Sequence, residues 1–201
     1  MTNKLRHYII RESAAFLYTT DPFGALHNPC KGFPIIVEGQ SVGSSEAYYQ
    51  ALRFPDAPDI QRLILAETKP IQSKRKAYEF LDRVRADWFS VNIAVMRHSL
   101  RLKLSQHHDA LSSLLCETGD RPIVEISKRD PFWGAQPDSN GMAVGENILG
   151  RLWMELRLEL QNDPAAYREG VPAPRFPNAT LLGREIGFTR PPEPAQMGLA
   201  L

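Results

Sequence analysis

Glu46, Gln50 and Arg53 stand at i, i+4 and i+7 in SSEAYYQALRF, so a helix through this segment sets a carboxylate, an amide and a guanidinium on one face. Such a row can line a polar pocket, or it can be an exposed face carrying an ion pair. A second group lies in KRDPFWGAQPDSNGMAVGENILG, where Asp130 precedes Pro131 and the aromatic pair Phe132 and Trp133 in a loop dense with turn residues. The Trp133 ring can face a base or sugar, or plug the underside of its own loop. Asn147 opens the following helix and can bond either a ligand or the loop. Lys103 and Gln106 sit one helical turn apart near Arg97 and Arg101, where a cation can serve a phosphate, against the default of solvated charge. Gly145 and Gly150 enclose ENIL at phosphate-loop spacing without the lysine. GENILG therefore reads as a turn into a helix whose free amides receive an anion, or as a plain helix start.

Other chemistries are excluded by what the chain lacks. There is no GxSxG, HExxH or GxxxxGK[ST] motif. Cys30 and Cys116 form no CxxC, and no ladder of His and Cys has ligand spacing, so a disulfide framework and a metal site are not expected. His107 and His108 are adjacent, cannot both face one metal from a helix, and read as surface residues, while His27 and His98 have no ligand partner at a recognisable spacing. Lys plus Arg is 24 against 23 for Asp plus Glu, which removes any argument from bulk charge for nonspecific nucleic-acid or membrane binding. No apolar run approaches the roughly 18 residues of a membrane span, and the N-terminus has no signal-peptide pattern, so a reducing, cytoplasmic location is expected.

Short elements must position these groups. FPIIVEG (33–39) predicts a β-branched strand ending at a glycine turn, and Ser44 or Ser45 caps the helix that carries Glu46. Further helices are predicted over 56–67, from Pro70, over 87–106, and over ALSSLLCE after Asp109, the last stopping at Thr118 and Gly119. PIVEIS reads as a strand. Leu149, Leu152, Trp153, Leu156 and Leu160 fall at offsets 0, 3, 4, 7 and 11 and mark an amphipathic helix over about 146–160. The class is α+β, predominantly helical with a few short strands. Seven of sixteen prolines follow Asn162, with no periodic apolar stretch, so 162–201 reads as an irregular arm, and removal of Pro164 to Leu201 is expected to leave a folded protein.

Taken in order, FPIIVEG, GSSEAYYQALRF, RHSLRLKLSQH, LLCETGDRPIVEISKRDPFWG and GENILGRLWMELR resemble the NADAR family, named for association with NAD and ADP-ribose. The resemblance runs from about Phe16 to Glu159 and matches Ser45, Glu46, Gln50, Lys103, Gln106, Thr118, Gly119, Glu125, Asp130, Trp133, Gly134, Asn147 and Gly150, with Leu26-His27-Asn28 where members carry L-S-N. Ala47 departs from it, standing where members have a histidine; Arg53 replaces a common lysine and Pro29 an aromatic. The resemblance implies a NADAR-like domain over 1–162 followed by a Pro-rich C-terminal extension over 163–201.

It also implies an N-glycosidase, a hydrolase without cofactor or metal that cleaves a ribosyl N-glycosidic bond. The preferred reading is removal of ADP-ribose from guanine in nucleic acid, an antitoxin or repair role whose partners include ADP-ribosylated DNA. The alternatives are cleavage of phosphoribosylamino intermediates of riboflavin biosynthesis and an ADP-ribose- or NAD-binding module without turnover. Breaking the bond builds oxocarbenium-like charge on the ribose and negative charge on the leaving nitrogen. On this reading Glu46 and Asp130 are catalytic, Glu46 stabilising the cation or activating water and Asp130 orienting ribose hydroxyls or sharing acid–base work. Trp133 stacks on the base or closes the pocket, Lys103, Arg97 or the amides near Asn147 neutralise phosphate, and Asn28, Gln50, Gly134 and Gly150 complete the substrate contacts.

Overall fold

Ser44 is extended and its Oγ accepts the amide of Ala47 at 3.1 Å, so the chain turns into its first α-helix at the predicted residue. In the computed structural model, which describes residues 5–193, the elements before the first long helix are β1 (Arg6–Ile9), β2 (Ala14–Phe16), β3 (Ile35–Val37), β4 (Gln40–Val42), α1 (Ser45–Ala51), α2 (Pro58–Leu65) and α3 (Pro70–Tyr78). There follow α4 (Trp88–Gln106), α5 (His108–Glu117), β5 (Ile123–Glu125), β6 (Gln136–Pro137), β7 (Met142–Gly145), α6 (Ile148–Asn162), β8 (Thr180–Leu181) and β9 (Arg184–Glu185). The expected class, helix-rich α+β with short strands, is what these residues form. The far ends of the two predicted segments, 1–4 and 194–201 with Pro194, lie outside the described residues.

The chain forms two compact units. The first comprises Met1–His27 and Asp109–Ala166. Its β1 pairs antiparallel with β7, which pairs antiparallel with β6, while β2 runs parallel to β5. Tyr8, Val124, Ile126, Ala135 and Ala143 form a core against these strands. The predicted amphipathic face of α6 is buried through Leu149, Leu152, Trp153 and Leu156, and the Trp153 indole donates to the Leu26 carbonyl at 2.8 Å.

The second unit comprises Asn28–His108 and Tyr167–Leu201. Here β3 and β4 form a hairpin whose two turn residues, Glu38 and Gly39, both have positive φ (50° and 74°), the geometry that suits the twist of the flanking strands. Ile35, Val37 and Val42 are buried, and α1 packs against α2, α3 and α4.

The C-terminal segment is not the peripheral arm that its prolines suggested. Val171, Phe176, Ala179, Leu181 and Ile186 are buried. Gln61 of α2, fully buried, donates to the Thr180 carbonyl and accepts from the Leu182 amide. Arg85 donates to the carbonyls of Pro177 and Asn178, and the Gly187 amide donates to Glu38 Oε1 at 2.9 Å. Apolar anchors at irregular spacing and backbone bonds to distant side chains hold the segment, and neither leaves a periodic trace in sequence.

Candidate active site

Asn28, Glu46, Gln50, Arg97 and Lys103 belong to the second unit, and α1 organises three of them. Gln50 lies one turn after Glu46, and its Nε2 donates to Glu46 Oε1 at 2.8 Å. Asn28 Nδ2 donates to Glu46 Oε2 at 2.5 Å, and Ser45 Oγ donates to the Asn28 carbonyl at 3.0 Å, which ties the loop before β3 to the start of the helix. All three are buried: Asn28 is 3%, Glu46 7% and Gln50 1% exposed. Each carboxylate oxygen thus accepts from a neutral amide, and among the described residues no cation is paired with it. The exposed-face reading of this segment is therefore wrong. Arg53 does not continue the row, because its guanidinium lies 4.8 Å, 5.2 Å and 6.0 Å from the rings of Trp88, Tyr78 and Tyr49. Ala47 is buried on the same helix.

Lys103 is not solvated charge either. It is fully buried on α4, with Nζ 4.8 Å from the Phe33 ring centroid. Burial lowers its ammonium from 10.5 to about 8, partly opposed by the nearby Cys30. An amine in that range serves as a cation, a proton acceptor or a nucleophile near neutral pH. Cys30 and Phe33 carried no signal in the sequence, since one is a lone cysteine and the other an apolar residue before a strand. Gln106 faces protein too: its amide accepts from the Ile36 N–H and donates to the Ile36 carbonyl, both at 2.7 Å, clamping β3 to α4. Arg97 is half-buried on the same helix. His107 and His108 are not surface residues. His108 is buried, and His107 bonds the Pro34 carbonyl, its imidazole lowered by burial.

Asp130, Trp133, Gly134, Asn147 and Gly150 belong to the first unit, where they converge on the joint between β5 and α6. Asp130 Oδ1 accepts the amides of Phe132 and Trp133 at 3.1 Å and 3.0 Å, shaping the turn that carries both rings. Trp133 is half-buried and meets Phe132 edge-on at 5.0 Å. The amides of Asn147, Ile148 and Leu149 donate to the carbonyls of Gly134, Phe132 and Trp133. The loop thereby engages the amides of Asn147, Ile148 and Leu149, donors that the anion-binding reading of GENILG would offer to a ligand. Asn147 is left-handed (φ 49°), and its side chain accepts from the Glu125 amide and donates to the Ile123 carbonyl. A Cβ on Gly150 would lie 2.1 Å from the Ile123 carbonyl oxygen, so only glycine lets α6 approach β5 this closely. Glu125 Oε1 is 3.6 Å from His27 Nε2, a pair that no sequence spacing announced.

A family model described as NADAR domain matches residues 16–161. The chain belongs to the NADAR family. Among NADAR relatives, the N-glycosidase YbiA of Escherichia coli is 33% identical over 160 residues, covering 78% of this chain and 94% of its own. A riboflavin biosynthesis protein of Vibrio vulnificus is 37% identical over 155 residues, 76% of this chain but 40% of that larger protein. The NMR structure of E. coli YbiA superposes with a TM-score of 0.65 at 31% identity, covering 79% of this chain and 91% of that one. The NADAR match ends at the last turn of α6, so most of the C-terminal segment that packs into the second unit lies beyond it. Among the described residues no helix is long and apolar enough to cross a membrane.

Proposed function

We propose that this NADAR chain is an N-glycosidase that adds water across the bond between the anomeric carbon of a ribosyl group and a nitrogen. The observation that carries the proposal is Glu46, a buried carboxylate held at both oxygens by amides and, among the described residues, paired with no cation. As the C–N bond breaks, the ribose carbon gains positive charge, and a fixed carboxylate in a low-dielectric setting stabilises it and can take a proton from the attacking water. The leaving nitrogen must gain a proton in return. Lys103, with its ammonium lowered to about 8, supplies positive charge for a phosphate or a proton within the second unit. Asp130, Gly134, Asn147 and Gly150 act through the fold of the first unit, holding the turn that carries Trp133.

Similarity to N-glycosidase YbiA supports the reaction class. Similarity to riboflavin biosynthesis proteins of V. vulnificus and Zea mays supports a phosphoribosylamino intermediate as substrate. The ADP-ribosyl–guanine substrate that the family resemblance also implies is the competing assignment, and one assay decides between them. The purified chain is incubated with a phosphoribosylamino pyrimidine and with ADP-ribosylated single-stranded DNA, and released sugar is measured. The first substrate should be cleaved, and Glu46→Gln should lower turnover by about a hundredfold or more. Near-normal turnover by Glu46→Gln removes Glu46 from the chemistry; cleavage of the DNA adduct alone moves the substrate to ADP-ribosyl–guanine.

A further inference from the structure

The two amides that hold Glu46 leave two atoms unaccounted for. A carboxamide carries its oxygen and its nitrogen on one carbon, so a group whose N–H points at the carboxylate turns its carbonyl oxygen aside. Asn28 Oδ1 and Gln50 Oε1 are both buried, and among the described residues neither accepts a hydrogen bond. Flipping either amide gives no relief, because it would set a carbonyl oxygen against a carboxylate oxygen now 2.5 Å or 2.8 Å from a donor. Glu46 therefore dictates both orientations, and the two orphan acceptors follow from its charge. Most buried polar atoms in folded proteins find a partner, so a pair of unmet carbonyls flanking one carboxylate calls for a ligand.

The complement of such a surface is a group rich in hydroxyl donors. Resting on the N-glycosidase reading, which sets Glu46 at the anomeric carbon, the donor within reach of amides that touch Glu46 is the hydroxyl on the neighbouring ribose carbon. We infer that Asn28 and Gln50 accept the vicinal 2- and 3-hydroxyls of the ribosyl group through Oδ1 and Oε1, making the site selective for ribose over 2-deoxyribose. A substrate lacking the 2-hydroxyl would leave a buried acceptor unmet, a loss that polar sites convert into strong rejection. The same two side chains thus position the carboxylate and read the sugar.

The test uses the full chain with ribose 5-phosphate and 2-deoxyribose 5-phosphate in calorimetric titrations. Ribose 5-phosphate should bind about ten- to a hundredfold more tightly. Gln50→Met and Asn28→Leu should erase most of that preference, read as the ratio of the two affinities, which a merely structural role would lower for both sugars alike and leave unchanged as a ratio. If either variant fails to fold, the comparison of the two sugars on the unaltered chain decides alone. Equal affinity for both sugars, or binding of neither, overturns the inference. Equal kcat/KM for an N-ribosyl substrate and its 2-deoxy analogue overturns it and leaves the N-glycosidase reading standing, whereas ribose-selective binding without cleavage of any N-riboside does the reverse.

Discussion

Phe176 tests whether the proline-rich C-terminal segment is part of the folded second unit. Its ring is 7% exposed and stands edge-on to His98 of α4, with centroids 6.4 Å apart. Truncation to alanine removes the buried ring and opens a cavity beside His98. Phe→Ala in a core costs about 3–5 kcal/mol, and the slight exposure here places the loss near the lower end, about 3 kcal/mol. For a chain of this size each kcal/mol lowers Tm by about 2–4 °C, so Phe176→Ala should melt about 6–12 °C below the unaltered protein. Phe188→Ala is the control, because that ring is 50% exposed and should cost no more than about 0.5 kcal/mol. Thermal melts followed by circular dichroism compare the three proteins. A Phe176→Ala midpoint within about 1 °C of the unaltered one would refute the packing of the segment and restore it to a dispensable arm.

Gly150→Ala should destabilise the chain by several kcal/mol, read as loss of soluble protein or a lowered melting midpoint, because its Cβ would sit 2.1 Å from the Ile123 carbonyl oxygen. Burial lowers His98 from 6.5 to about 4, so the unfolded chain takes up a proton first as pH falls through that window. Stability should therefore drop between about pH 6.5 and 4, by up to on the order of 3 kcal/mol, and urea melts of His98→Gln should show a flatter acid limb. Lys103 has the same sign at higher pH: with its ammonium lowered from 10.5 to about 8, stability should rise across that interval. Urea melts at pH 7 and 9.5 should show this rise in the unaltered chain and little of it in Lys103→Met, which should also lose turnover.

Local chemistry made much of this protein legible in its sequence. Ser44 capping α1, Pro70 opening α3, the leucine and tryptophan face of α6 and the helix end at Gly119 each depend on contacts within a turn or two, and spacing records those directly. The pairing of Glu46 with Gln50 was legible for the same reason, being an i, i+4 contact on one helix. The ordered motifs also pointed to the NADAR family before any geometry was known. What they did not reveal is the physical task of each residue. Asn147 and Gly150 look like ligand contacts in a glycine-rich motif, yet the demand on them comes from Ile123 and Glu125, more than twenty residues away, through backbone bonds and a close approach. Lys103 has the same letters as a solvated lysine, and its burial, with Phe33 and Cys30 among its neighbours, comes from the tertiary packing of α4. The strands β1 and β2 are too short to show a period, and they exist because β7 and β5 supply their hydrogen bonds. The described part of the C-terminal segment shows no helical or strand period, and beside its own short β8–β9 hairpin it is held by distant partners such as Gln61, Arg85 and Glu38. A sequence states which side chains are available and how neighbours along the chain can meet; which of them are desolvated depends on the three-dimensional packing, and desolvation lowers the ammonium of Lys103 and the imidazole of His98, while two acceptors beside Glu46 find no partner among the described residues.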